Sequence, residues 1–180
     1  KESEIKDFVS SLPFQLTKSQ KISAWEILQD LEKDKPMNRL LSGDVGSGKT
    51  VVAAISIYNA CLNGFQSALM APTEILAAQH YNSMIKLLGD KIPMALLTGS
   101  QIIIHNHEFI AQTRLGKKKE FLDKIKKGEV GVIVGTHALL SEGVKYRNLG
   151  LVVVDEQHRF GVEQRKMIKQ KGHGSHFLSM

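Results

Sequence analysis

The chain has 180 residues, 42% hydrophobic and 23% charged, with 15 glycines and 4 prolines. That composition excludes a disordered or collagen-like chain and supports one domain with a sizeable core. The 24 Lys and Arg against 18 Asp and Glu leave a net charge of +6, which permits a polyanionic partner without requiring one.

A single cysteine, Cys61, excludes an internal disulfide framework and a cysteine-cluster zinc site. No apolar run approaches the roughly 20 residues that span a membrane. The opening Lys1-Glu2-Ser3-Glu4 has neither an initiator Met nor an apolar signal segment, so the expectation is a cytoplasmic piece of a longer chain. The seven histidines show no spacing that suggests a metal site: His105 and His107 are two apart, and His173 and His176 lie in a glycine-rich turn.

In chain order, residues 2–10 read as a short helix ended by Ser11-Leu12-Pro13. Residues 19–33 read as an amphipathic helix carrying Ile22, Trp25, Ile27, Leu28 and Leu31. A strand at 39–42 runs into a glycine-rich turn, and residues 51–62 form a helix apolar on nearly every side, hence a buried one. Strands follow at 67–71 and 94–97, with a helix at 74–88 between them. A helix at 118–127, valine-rich strands at 130–135 and 149–155, a helix at 163–170 and an apolar run at 177–180 complete the series. Short apolar strands alternating with helices imply a mostly parallel sheet covered on both faces. Residues 101–116 fit no pattern.

Gly43-Asp44-Val45-Gly46-Ser47-Gly48-Lys49-Thr50 matches G-x-x-x-x-G-K-[ST] at every fixed position, between a strand and a helix. Glycines let backbone N–H groups turn inward toward phosphates, and the helix adds its positive N-terminal end. Lys49 is positioned in the motif to reach the β- and γ-phosphates of ATP, and the Thr50 hydroxyl to ligate Mg²⁺. The alternative is a glycine-rich turn without a ligand. Leu151-Val152-Val153-Val154-Asp155-Glu156 ends a buried strand in two acids. Asp155 suits the magnesium side, and Glu156 suits orientation and activation of the attacking water. Together they favour hydrolysis of bound nucleotide in a three-layer α/β P-loop NTPase.

Asp155-Glu156-Gln157-His158 resembles motif II of superfamily 2 helicases, and the extension through Arg165 (DEQHRFGVEQR) resembles the RecG family of bacterial branch-migration DNA helicases. Leu12-Pro13-Phe14-Gln15-Leu16-Thr17 with Gln20, Met70-Ala71-Pro72-Thr73-Glu74-Ile75-Leu76-Ala77 with Gln79-His80, Thr98-Gly99-Ser100 and Gly135-Thr136-His137-Ala138-Leu139-Leu140 are similar to further motifs of that family. The transcription-repair coupling translocases share several of these, but usually carry Glu where Gln157 stands and Thr where Glu74 stands. A plain nucleotide-binding switch is a third reading.

The resemblance implies that residues 12–180 are the first RecA-like motor domain and residues 1–11 a lead-in. A second RecA-like domain and a DNA-splitting wedge would lie elsewhere in the same, monomeric chain. The implied partner is branched double-stranded DNA, such as forks and Holliday junctions, and the isolated 180 residues are expected to be inactive as a helicase.

It also implies that Gln20 reads the adenine edge, with Phe14 and Thr17 forming the base pocket. From the residues alone, Gln20 is a solvated residue at a helix start. Thr73, Thr98, Gly99, Thr136 and His137 would grip DNA phosphates, although each equally suits a helix cap or turn. His158 would link the ATP site to the partner domain, or else be a buried structural histidine. The Lys117-Lys118-Lys119 run with Lys124, Lys126 and Lys127 reads as a solvated helix face or, alternatively, a DNA patch. Residues 101–116, with Ile102-Ile103-Ile104, exceed the short polar linker of that family.

Overall fold

The computed structural model describes residues 1–105, 110–113 and 118–180, with side chains for all but 110–113. Its helices are α1 (Glu2–Ser10), α2 (Lys18–Leu31), α3 (Lys49–Leu62), α4 (Glu74–Leu88), α5 (Lys118–Lys127) and α6 (Val162–Lys171). Its strands are β1 (Asn38–Leu40), β2 (Gln66–Met70), β3 (Met94–Leu97), β4 (Ile102–His105), β5 (Ile110–Thr113), β6 (Val132–Gly135), β7 (Leu149–Val154) and β8 (His176–Ser179). They form one sheet in the order β1-β8-β7-β2-β6-β3-β4-β5. All pairings from β1 to β3 are parallel, and β3-β4-β5 is antiparallel.

Alternation along the strands sends side chains to two separate cores. Leu69, Val134, Val153 and Leu178 face a layer built from α1 to α4. Ala68, Met70, Ile133, Val152 and Val154 face α5, α6 and the turn at Leu139 and Leu140. This is the three-layer α/β architecture expected. The all-apolar α3 is the buried centre of its layer, with Val52, Ala53, Ala54, Ile55 and Ile57 at most 1% exposed. The expected lead-in carries α1, whose Ile5 and Phe8 are buried, with the Phe8 ring 5.0 Å from that of Tyr58 on α3.

Two features differ from the sequence reading. Residues 101–116, left without a pattern, contain the β4–β5 pair that extends the sheet; residues 106–109 and 114–117, including His107 and Lys117, lie outside the described residues. Ile102 and Ile104 are buried on one side of β4, which three consecutive isoleucines disguise because they hide the polar alternation. On α2 the buried stripe is Ala24 and Ile27, with Leu28 and Leu31 partly buried. Ile22 and Trp25, expected in that stripe, are 48% and 55% exposed. The apolar run at 177–180 forms β8, which lies between β1 and β7 within the sheet.

Gln66 opens β2 as a buried polar residue whose amide is fully used. Its Nε2 donates to the carbonyls of Ile125 (3.0 Å) and Val130 (2.8 Å), and its Oε1 accepts from the amides of Arg147 (2.7 Å) and Asn148 (3.3 Å). One side chain thereby ties α5, the approach to β6 and the approach to β7 to the edge of β2. No helix among the described residues is long and apolar enough to cross a membrane.

Candidate functional site

Most motif residues beyond residue 42 lie on the loops that follow the C-terminal ends of strands, the exceptions including Lys49 and Thr50 at the start of α3, Gln79 and His80 within α4 and His158 four residues past β7, and the parallel strands place those ends on one edge of the sheet. Along that edge the order is the Gly43–Thr50 loop after β1, then β8, then Asp155-Glu156 after β7, Thr73 after β2, Thr136-His137 after β6, and Thr98-Gly99 after β3. The glycine-rich loop and the two acids are thus two strand spacings apart, about 10 Å.

The loop is shaped by backbone that only glycine adopts freely. Gly46 and Gly48 have φ of +83° and +78°, and a Cβ at Gly48 would run into the Gln20 amide. Gly48 is the N-cap of α3, so the loop delivers directly onto the positive end of a 14-residue helix. Lys49 folds over the loop, its Nζ donating to the carbonyls of Gly43 (2.5 Å) and Asp44 (3.1 Å). Gly43, Asp44, Val45, Gly46 and Ser47 are exposed, and Thr50 is half-buried at the start of α3.

β8 joins the loop to the acids. Ser179 O accepts from the Leu41 amide (2.7 Å), and Met180 O accepts from the Glu156 amide (2.9 Å). Ser179 Oγ also donates to Gln157 Oε1 (2.7 Å). These tether residues carried no signal in sequence, because backbone carbonyls have no residue type.

Asp155 is tied to β2 through its amide and Met70 O (2.9 Å). Its Oδ2 lies 2.6 Å from Nε2 of His80 on α4. Glu156 stands in left-handed backbone, φ 46° and ψ 50°, which costs a non-glycine residue about 1 kcal/mol. Its Oε2 is shielded from solvent and lies 3.0 Å from Arg159 Nη1, but accepts no directed hydrogen bond. His158 is exposed, so the buried structural alternative for it does not hold.

Thr17 and Gln20 form a capping box at the start of α2. Thr17 Oγ1 accepts from Gln20 N (3.2 Å), and Gln20 Oε1 accepts from Thr17 N (2.9 Å). The remaining amide hydrogens reach across to Ser47 O (3.0 Å), so Gln20 joins α2 to the glycine-rich loop rather than standing solvated. Phe14, 47% exposed, precedes this cap. Gln20→Ala should lose about 1 kcal/mol of stability from the cap and weaken ATP binding. Thermal unfolding with and without ATP measures both, and an unchanged shift by ATP would separate Gln20 from the loop.

Of the three threonines read as phosphate-gripping, Thr73 and Thr136 are N-caps and Thr98 closes the turn before β4. Thr73 Oγ1 accepts from Leu76 N (3.2 Å), Thr98 Oγ1 from Gln101 N (3.2 Å) and Thr136 Oγ1 from Ala138 N (3.4 Å). Thr73 is exposed, whereas Thr98 and Thr136 are each only 2% exposed, so of the three hydroxyls only that of Thr73 faces solvent where a phosphate could reach it. His137 is exposed beside Thr136. On α5, Phe121 and Ile125 are buried while Lys118, Lys119, Lys126 and Lys127 are exposed, as a solvated face requires.

Glu74, noted in the sequence only as a family difference, organises the Thr98–Ser100 turn. Its carboxylate accepts from Ser100 Oγ (2.5 Å) and Ser100 N (3.1 Å). Those bonds, led by the Ser100 hydroxyl, hold its pKa below the ordinary 4.5. A depressed carboxylate supports the fold above its unfolded pKa and loses that support as pH falls through the folded value. The protection factor of the Ser100 amide, its exchange rate relative to the free-chain rate at each pH, should therefore hold from neutral pH down and fall only below pH 4.5; a fall near pH 6 would show that Glu74 is not the clasp.

The sequence profile described as DEAD/DEAH box helicase matches residues 17–174. The ATP-dependent DNA helicase RecG of Staphylococcus epidermidis is 48% identical over 177 residues, covering 98% of this chain and 24% of that protein. The protein of that name from Streptococcus pneumoniae is 49% identical over 170 residues, covering 94% of this chain and 23% of its own length. A solved structure of RecG bound to a three-way DNA junction superposes with a TM-score of 0.82 at 41% identity, covering all of this chain and 22% of that one. The chain thus spans about a quarter of the length of the curated relatives it matches. With the profile running from the capping box before α2 to the turn before β8, this chain belongs to the DEAD/DEAH box helicase family.

Proposed function

We propose that the chain is the first motor lobe of a RecG-type helicase that uses ATP hydrolysis to drive branch migration or fork regression of branched DNA. The observation that carries this reading is the order along the sheet edge. Nucleotide-type elements follow β1 and β7, and turns that expose Thr73, His137 and Gly99 follow the adjacent strands β2, β6 and β3. A motor needs both functions on one rigid sheet, so that a change at one end strains the other.

The residues fit Mg·ATP. The glycine backbone leaves room for phosphates, Gly48 opens a long helix, Lys49 brings a cation to the loop, and Glu156 Oε2 lacks a hydrogen-bond donor. Bound Mg·ATP supplies the phosphoanhydride whose cleavage powers movement. The amides of residues 44–50 and Lys49 bind and orient the phosphates. Thr50 and Asp155 hold the magnesium side, and Glu156 positions the attacking water and takes its proton. Phe14 offers a face for the adenine, with Thr17 and Gln20 shaping that pocket and coupling it to the loop.

Thr73, Thr98, Gly99, Thr136 and His137 would hold DNA phosphates and fix register without reading bases. The exposed His158 would face a second RecA-like domain of the same monomeric chain. That domain would supply the missing half of the ATP site, so these 180 residues alone should not unwind DNA. The bacterial cytoplasm, where the DNA lies, is the expected compartment.

The test is ATP turnover by the full-length protein with three DNAs of equal length: linear duplex, fork and Holliday junction. Forks and junctions should stimulate turnover several-fold more than linear duplex, by about tenfold if the difference is worth 1.4 kcal/mol of coupling. Equal stimulation by linear duplex would overturn the branched-DNA reading.

A further inference from the structure

His80 sits two turns into α4, and nothing in the motif chemistry above assigns it a task. Its Nε2 stands 2.6 Å from Asp155 Oδ2, and the two side chains are only 13% and 16% exposed. A carboxylate can only accept, so Nε2 must carry the hydrogen of this bond. The backbone of Asp155 is fixed by its amide bond to Met70 O, but that leaves the carboxylate free to rotate. The His80 bond is what arrests it.

The helix that carries His80 is itself rigidly seated. Ala77, Tyr81, Met84 and Leu88 form its buried stripe, none more than 5% exposed. His80 therefore projects from a fixed backbone, bracketed by two core positions. A side chain present only to fill space would need no polar tip here, and an apolar replacement would leave a largely enclosed carboxylate without its donor.

We propose that His80 is a positioning residue for the magnesium-side carboxylate: it holds Asp155 by Oδ2 and so presents Oδ1 to the hydrated cation. This rests on the reading of Asp155 given under Proposed function. Partners that orient metal-binding groups typically set metal affinity or activity by about ten- to a hundredfold when removed. The arrangement has a second consequence. α4 is capped by Thr73, on the DNA-facing stretch of the sheet edge, so the orienting bond comes from the helix that follows one of those turns.

The experiment titrates Mg²⁺ against binding of a fluorescent ATP analogue to the full-length protein, comparing wild type with His80→Ala, His80→Phe and His80→Gln. Phenylalanine keeps the packing and removes the donor; glutamine restores an N–H donor at similar reach. The Mg²⁺ concentration for half-maximal enhancement of binding should rise about tenfold in His80→Ala and His80→Phe, and return most of the way in His80→Gln. Binding of the analogue in EDTA should be the same in all four proteins.

An unshifted Mg²⁺ midpoint in a His80→Phe protein whose thermal unfolding matches wild type would overturn the proposal. So would a His80→Gln midpoint no better than that of His80→Phe. If instead wild-type binding is indifferent to both Mg²⁺ and Lys49→Ala, the nucleotide site itself is misassigned and the inference falls with it.

Discussion

Glu156→Gln in the full-length protein should reduce ATP turnover by about 10²- to 10⁴-fold, the range over which a positioned general base acts, while ATP and DNA binding persist. The separation follows from where the carboxylate sits. The phosphate-binding elements are the loop backbone, Lys49 and the start of α3, none of which bonds to the Glu156 side chain. Glutamine is isosteric, so it keeps the left-handed turn at 156 and the amide bond to Met180 O. It loses the negative charge beside Arg159 and the capacity to take a proton from water. A plain nucleotide switch, whose output depends on binding, would be nearly unaffected. Rapid-mix turnover alongside equilibrium binding distinguishes the two; parallel loss of binding and turnover would show that Glu156 is structural.

The second large effect is on stability. Gln66→Met keeps length and volume but deletes both functions of the amide. It strands two carbonyls, of Ile125 and Val130, and two amides, of Arg147 and Asn148, at a site only 4% exposed. Each buried polar group left without a partner costs about 1–3 kcal/mol, and partial rehydration at the strand edge recovers some of it, so a net loss of about 3 kcal/mol is expected. For a chain of this size that lowers the melting temperature by about 6–12 °C. A change within about a degree would mean that water replaces the glutamine at little cost, contrary to the closed network described.

The layers of the fold were legible because valine-rich runs and one all-round apolar helix have few ways to be buried. β2, β6 and β7 lie with both faces covered, and α3 fills the centre of its layer. The β4–β5 extension was not legible, since Ile102-Ile103-Ile104 carries no period-two signal. Nor was the exposure of Ile22 and Trp25, because apolar spacing on α2 supports two overlapping stripes and only packing chooses between them.

At the site, the glycine-rich loop could be read because its chemistry dictates residue types at fixed spacing. The same holds for two acids at a strand end. What connects these elements could not be read. The bonds from Ser179 and Met180 to Leu41 and Glu156 use main-chain groups that any sequence provides. His80 and Asp155 are 75 positions apart in the chain and meet only when α4 folds onto the sheet. Glu74 shows the same limit: an acid in the first turn of a helix is ordinary, and only the folded turn at 98–100 gives it a second role.

The central claim is that strand order divides one sheet edge into a nucleotide half and a DNA half. Photo-crosslink mapping on the full-length protein tests it most directly, using an azido-ATP and a junction DNA carrying photoreactive phosphates, each digested and sequenced. The nucleotide should label residues 12–20 and 43–50, and the DNA should label residues 72–76, 98–100 and 136–138. Nucleotide label on the turns after β2, β3 or β6, or DNA label on the glycine-rich loop, would contradict the claim.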